Sequence, residues 1–269
     1  MRLRALFSTV LALGLCAGTA IPGGVLARSV SATHSTDAAA PAMRTFYISG
    51  SLLDAKGTLS LLVGLAKVSV DSTGIYSGTL TMGGTSPITT TVTGTISTTM
   101  TLSGMISGQQ VSVMARPVKE KIGNAISSGP KTTAGMEFLG DVMANSTSIG
   151  YMTAIDTSIL PEYSFAATVS KGQDTGTAIN ASLYMLSDHR GDLHGYFMDD
   201  ATGAVYPLLS GTLTRGQMLI HVNLLGHGAM IGVAAVANSI LNHQLIYKGT
   251  LFGPALNDIG TWYCSPPAS

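Results

Sequence analysis

The sequence predicts an all-β protein, an antiparallel meander barrel or β-sandwich built from two related halves with one short connecting helix. Three observations carry this: alternation of apolar and polar residues after Met43, turn clusters at short spacing, and a match between two segments of the chain. No motif identifies a ligand or a chemistry.

Residues 1–27 read as an export signal. Arg2 and Arg4 precede the apolar run "ALFSTVLALGLCAG", which is shorter than the roughly 20 apolar residues of a membrane span and is followed by "TAIPGG". Val25 and Ala27 suit cleavage before Arg28, and Gly18 and Ala20 offer an earlier site. Leu15 before Cys16 disfavours lipidation, where a small residue belongs. Once the signal is removed Cys264 is the one cysteine left, so no intrachain disulfide can form. Residues 28–43, rich in Ala, Ser and Thr, read as a flexible tether, and 265–269 as a tail.

The remainder is large enough for one β domain or two small ones. Charged residues are 10% of the chain against roughly 25% in ordinary soluble domains, and Gly numbers 32, a balance that suits extracellular β proteins. With 14 basic and 14 acidic residues there is no basic surface for nucleic acid. An outer-membrane barrel needs aromatic girdles, and aromatic residues are only 6%. No membrane span is expected after signal removal.

Residues 44–116 are assigned to a first β half, in which Phe46, Ile48, Gly50 and Leu52 share one strand face. Residues 117–165 form a connector with strands and a helix from Val118 to Ser128, where Pro117 suits the start, Val118, Ile122, Ala125 and Ile126 share a face, and Gly129–Pro130 is a stop. Residues 166–264 are the second half, with Met218, Ile220, Val222 and Leu224 inward and His221 and Asn223 outward. The halves are expected to share one domain.

Val68–Ala115 aligns with Met185–Ala235 with small gaps. Asp71 pairs with Asp188, Gly74 with Gly191, Gly78 with Gly195, Pro87 with Pro207, Gly94 with Gly211, Met100 with Met218, Gly108 with Gly226, and "VSVMA" with "IGVAA". Each half is then a four- or five-stranded meander, with shared glycines at turns and bends and edges that could pair with each other. Gly78→Val and Gly195→Val are expected to cost similar amounts, on the order of 1–3 kcal/mol.

Candidate sites resolve into ordinary structure. His189, His194, His221, His227 and His243 crowd the second half, but the first four align with Ser72, Ser77, Ser103 and Gln109, so they read as surface positions and no metal is expected. Arg190-Gly191-Asp192 resembles an integrin-recognition tripeptide but lies at a shared turn. Asp199 and Asp200 suit a hairpin loop better than a calcium or glycosidase pair, and Glu120, Glu137 and Glu162 fall in the expected helix and connecting segments, so no carboxylate pair presents itself. Ser187-Asp188-His189 are consecutive and cannot form a triad, and Gly226, Gly228 and Gly232 miss the phosphate-binding spacing. Trp262 reads as core rather than as a sugar platform with Tyr263, and Cys264 as an inert thiol or an intermolecular link. Asn145 and Asn180 open glycosylation sequons.

The resulting expectation is a secreted, cell-surface or periplasmic non-enzymatic protein that binds a small molecule or surface partner, with no cofactor. A cell-envelope hydrolase with a dispersed site and a self-assembling structural protein are the alternatives. A carrier requires a cavity lined by inward residues such as Leu80, Val92, Leu102, Phe197 and Ile220. An enzyme requires convergence of His194, His221 and Asp192.

Overall fold

The computed structural model describes residues 40–82, 87–123, 131–173, 175–214, 216–223, 229–238, 245–253 and 258–265. The signal and nearly all of the tether, Ala125 and Ile126 of the expected helix, Leu224, Gly226, Gly228, His227, His243 and all of the tail except Ser265 lie outside these residues.

The alternation after Met43 folds as antiparallel strands that close on themselves twice. The first barrel contains β1 (Ala42–Leu53), β2 (Leu59–Val70), β3 (Ile75–Met82), β4 (Ile88–Ile96), β5 (Met100–Ile106), β6 (Gln109–Pro117), β7 (Glu137–Ala144) and β8 (Thr147–Asp156). A 3-10 turn at Thr157–Ile159 leads to the second barrel. There β9 (Glu162–Lys171), β10 (Ala178–Ser187), β11 (Leu193–Asp199) and β12 (Val205–Thr214) are followed by β13 (Gln217–Asn223), β14 (Ala229–Asn238), β15 (Leu245–Phe252) and β16 (Ile259–Ser265).

Within each barrel every strand pairs with its sequence neighbours, β8 returns to β1, and β16 returns to β9. Barrels, not a sandwich, are therefore the outcome, and the edges expected to pair across the halves are satisfied within each. Each half has eight strands rather than four or five, because β1, β7 and β8 join the aligned strands of the first barrel and β9, β15 and β16 those of the second; residues 137–156, placed in the connector from sequence, supply β7 and β8.

The strand faces follow the pleat. Phe46, Ile48 and Leu52 of β1 point into the first core, and Met218, Ile220 and Val222 of β13 into the second. Leu80, Val92, Leu102, Phe197 and Ile220 are at most 1% exposed within these cores. These residues pack against one another instead of lining a calyx, as in other small barrels filled by side chains. The interior cavity that a carrier would need is thus corrected to filled cores, each buried Leu or Phe contributing about 1.5–3 kcal/mol.

The two barrels repeat one turn in detail. Gly74 and Gly191 have φ of +83° and +91°, and each donates its N–H at 3.1 Å to the carbonyl of Asp71 or Asp188. A β-carbon on either would meet the carbonyl oxygen of Ile96 at 2.3 Å or of Leu213 at 2.4 Å, so only glycine fits. The aligned bends also agree: Gly78 faces Val68 across β2–β3, and Gly195 faces Met185 across β10–β11. The alignment slips by one residue further on. Leu102 pairs with Val113 while Ile220 pairs with Gly232, so Gly232, not Val233, occupies the place of Val113. Trp262 fills the room that a side chain there would take, lying 2.9 Å from the position of a β-carbon.

The expected helix is overturned over Val118–Gly123. Val118 donates to Glu137 O at 2.8 Å and so extends the β6–β7 pairing, and Ile122 forms an isolated bridge with Asp188. Gly123 donates to Ser187 O at 2.6 Å, and a β-carbon on it would lie 2.5 Å from Asp188 O. Tertiary pairing with the second barrel outweighs a weak helical pattern interrupted by glycine.

A third apolar cluster joins the barrels, containing Tyr47, Ile155, Ile159, Leu160, Leu186, Tyr196 and Val205. Tyr196 is stacked between Tyr184 of its own barrel and Tyr47 of the other, with ring centroids 4.8 Å apart on both sides. Asp156 fixes the crossing point. One of its oxygens caps the 3-10 turn at Ser158, and the other accepts from Arg44 at 2.6 and 2.9 Å.

Candidate functional site

The seam offers two depressions lined from both barrels. The larger, about 1120 Å³, lies between Leu65, Lys67 and Thr81 on one side and the β11–β12 hairpin on the other. Asp199 closes that hairpin by accepting from Ala201 N and the Thr202 hydroxyl, while Asp200 accepts from Ser182. These aspartates therefore do turn work.

The second depression, about 500 Å³, has the richer chemistry. Ser49, Leu61, Tyr151 and Thr153 line it from the first barrel, and Asp192, His194, Leu209 and Ser210 from the second, with Glu137 between them. Tyr151 is half exposed, and neither lysine nor arginine contributes to the lining.

Beside this groove the structure assembles a polar cluster that sequence spacing concealed. After β6 the chain carries Glu120, whose N–H is held by the Thr133 hydroxyl at 2.9 Å. His189 N–H donates to Lys121 O at 2.8 Å, so this stretch is laced to the turn at 187–189. Glu120, Asp188 and His189 have ligating atoms within 4.8 Å of one another. His194 Nε2 lies 3.7 Å from Asp188 Oδ2 and is buried without a hydrogen-bond partner among the described residues. The statement that no carboxylate pair presents itself is corrected: Glu120, Glu137 and Asp188 converge from a connector, a strand and a turn.

Their electrostatics differ. Burial raises the Glu137 carboxyl above the ordinary glutamate value, opposed by the Thr133 hydroxyl and His194 and reinforced by Glu120 and Asp188. Burial acts the same way on Asp188, but the N–H groups of Asp192 and Arg190, with His194, outweigh it and hold that carboxyl below its usual range. Glu137 is therefore costly when ionised. Its unfavourable charge is present above its folded-state pKa and absent below its unfolded one. Glu137→Gln is expected to raise the melting temperature at neutral pH by roughly 2–4 °C, with the gain vanishing as pH falls below the ordinary glutamate range. Calorimetry across pH checks this, and a gain independent of pH would show that charge is not the cause.

The other candidates have defined places. Arg190-Gly191-Asp192 is the shared turn, with both Arg190 N and Asp192 N donating to Asp188 Oδ1. His221 stands on β13 opposite Ser210 of β12 and does not line the groove that holds His194 and Asp192. Ser187 donates its hydroxyl to the backbone of Asp188, which gives no nucleophile geometry. Trp262 is 1% exposed and donates to Thr250 O at 3.1 Å, while Tyr263 points outward, so the two form no joint platform. Cys264 is fully buried, and burial pushes its thiol up to about 12. Asn145 lies exposed at the β7–β8 tip with φ +48°, and Asn180 is exposed on β10.

The signal that could have revealed the cluster was the difference between the halves, since two serines of the first barrel's loop are histidines in the second.

No protein-family model matches the sequence, and no curated protein sequence matches it. Three solved structures show distant likeness. A Bacteroides fragilis protein provisionally named as an outer membrane protein is 12% identical, covering 84% of this chain and 97% of its own, with a TM-score of 0.24. A Trp-to-Ala mutant of the vaccine antigen transferrin binding protein B from Haemophilus parasuis is 8% identical, with 84% and 76% covered and a TM-score of 0.25. The Burkholderia oklahomensis agglutinin is 14% identical, with 84% and 96% covered and a TM-score of 0.22. At these scores none of them decides what this chain binds.

Proposed function

We propose that the chain is an exported, non-enzymatic binding protein that takes an uncharged, hydroxyl-rich ligand of sugar-like character in the seam groove. The observation that carries this is the lining: hydroxyls of Ser49, Thr153 and Ser210, acceptors from Asp192 and Glu137, and the exposed ring of Tyr151, with no cation to attract an anion. Export is supported by the pattern of residues 1–27. Descent of the barrels from one duplicated unit is supported by the turns at Gly74 and Gly191.

The apolar interiors and the exposed Ser77, Thr79, Thr93 and Thr95 are the reverse of a membrane barrel, whose apolar band faces outward. Among the described residues no helix is long and apolar enough to cross a membrane. Closure of both barrels removes the open edges on which the self-assembly alternative relied.

The test is a glycan array followed by saturation-transfer NMR on the best hits. Asp192→Ala and Tyr151→Ala are expected to weaken binding at least tenfold with the fold intact, since losing a polar anchor or stacking face removes about 1.4 kcal/mol or more. Binding that ignores both substitutions would refute the groove. A hydrolase remains the second reading, favoured by the raised carboxyl of Glu137 beside Asp192 and His194. Turnover of a bound glycan, lost in Glu137→Gln, would select it.

A further inference from the structure

We propose that Glu120, Asp188 and His189, whose ligating atoms lie within 4.8 Å of one another, form a zinc-binding site that His194, adjoining Asp188, completes and that clamps the connector of the first barrel to the β10–β11 turn of the second. The separations are the first argument. His189 Nδ1 lies 3.8 Å from Glu120 Oε2, and His194 Nε2 lies 3.7 Å from Asp188 Oδ2. Both are too long for hydrogen bonds. They approach the roughly 3.4 Å between ligand atoms of a tetrahedral ion bonded at about 2.0–2.1 Å.

The second argument is lone-pair accounting at two groups. Asp188 Oδ1 is occupied by the N–H groups of Arg190 and Asp192, which leaves Oδ2 toward the cluster. His194 Nε2 faces that oxygen, is itself shielded from solvent on a side chain that is 37% exposed, and has no hydrogen-bond partner among the described residues. A buried nitrogen without a partner is costly, and a cation between it and the carboxylate satisfies both.

The third argument is the backbone. The bonds from His189 N to Lys121 O and from Gly123 N to Ser187 O hold the segments bearing Glu120, Asp188 and His189 in register without any metal. Two imidazoles and two carboxylates suit zinc, whereas calcium and magnesium prefer all-oxygen sites. The first barrel supplies an internal comparison. Its matching turn keeps Asp71, whose Oδ1 accepts from Thr73 and Ile75 as Asp188 Oδ1 accepts from Arg190 and Asp192, but has Ser72 and Ser77 in place of the histidines.

The full exported chain, stripped with EDTA, is titrated with zinc sulfate by calorimetry and examined by native mass spectrometry. One zinc per chain is expected, with a rise in melting temperature, no comparable response to calcium or magnesium, and the visible spectrum of a four-coordinate centre when cobalt replaces zinc. His189→Ala and His194→Ala should each weaken zinc at least tenfold, and the double variant should abolish stoichiometric binding. His221→Ala, on another part of the barrel, should bind as the parent does. Far-UV circular dichroism establishes that each variant is folded, and Glu120→Gln is a further, milder probe. Absence of zinc binding, or binding that survives the double variant, would overturn the site. Either result leaves the sugar-binding test standing, since Tyr151 and Ser49 take no part here.

Discussion

Gly78→Val and Gly195→Val are expected to destabilise their barrels by about 3–5 kcal/mol each, beyond the range that glycine's strand role alone would give. The cause is contact with rigid backbone. A β-carbon at Gly78 would sit 2.1 Å from Lys67 O and 2.7 Å from Val68 Cα, and one at Gly195 would sit 1.9 Å from Tyr184 O and 2.8 Å from Met185 Cα. No rotamer change relieves such overlaps. The strands must separate locally, which breaks ladder hydrogen bonds and opens a core held at close packing. Because both glycines face the corresponding residue of the preceding strand, the two losses should be of similar size in urea unfolding of the purified variants, with any excess at Gly195, whose φ is +156°. A large loss at one position and a negligible one at the other would show that the two bends are not the same structural feature.

What the sequence revealed was local. The inward places of Phe46, Ile48, Met218 and Ile220 follow from a period of two, which needs no knowledge of the partner strand. Trp262 was legible as core because a lone Trp in a last strand usually seals the end of a sheet. The turns at Gly74 and Gly191 were legible because a backbone requirement leaves a fixed residue type behind. What failed was decided between distant segments. Pro117 through Ile126 carries a helical spacing, yet Val118 and Ile122 are claimed by pairing with β7 and the 188 turn, a choice that no local preference encodes. The full strand number of each barrel was missed because β1, β7 and β8 of the first and β9, β15 and β16 of the second lie outside the aligned segments.

The site was hidden for the same reason. Pairing His189 with Ser72 and His194 with Ser77 was read as tolerance of any small polar residue. The structure gives the pairing another meaning. Both barrels keep the aspartate for the turn, but only in the second do the connector and β7 bring Glu120 and Glu137 near it. A residue's chemistry in a duplicated fold depends on what packs against each copy, which an alignment of the copies does not contain.

Tyr196→Ala is expected to cost about 3–4 kcal/mol and to split a cooperative unfolding transition into two. The ring is 3% exposed and contacts aromatic faces on both sides, Tyr184 at an interplanar angle of 17° and Tyr47 at 27°. Truncation removes both stacks and leaves a void beside Ile155, Leu186 and Val205, the residues that join the barrels. Each barrel keeps its own closed sheet and its own core, so neither depends on Tyr196 to hold itself together. The penalty therefore falls on the coupling between two units that retain their internal stability. Calorimetry should show two overlapping transitions, with hydrogen exchange rising first at β1 and β11. Tyr196→Phe, which keeps the stacking and loses only the hydroxyl, should unfold in one step within about 1 kcal/mol of the parent. A single transition in Tyr196→Ala, lowered uniformly, would mean that the barrels share one cooperative core and that the seam contributes to each of them directly.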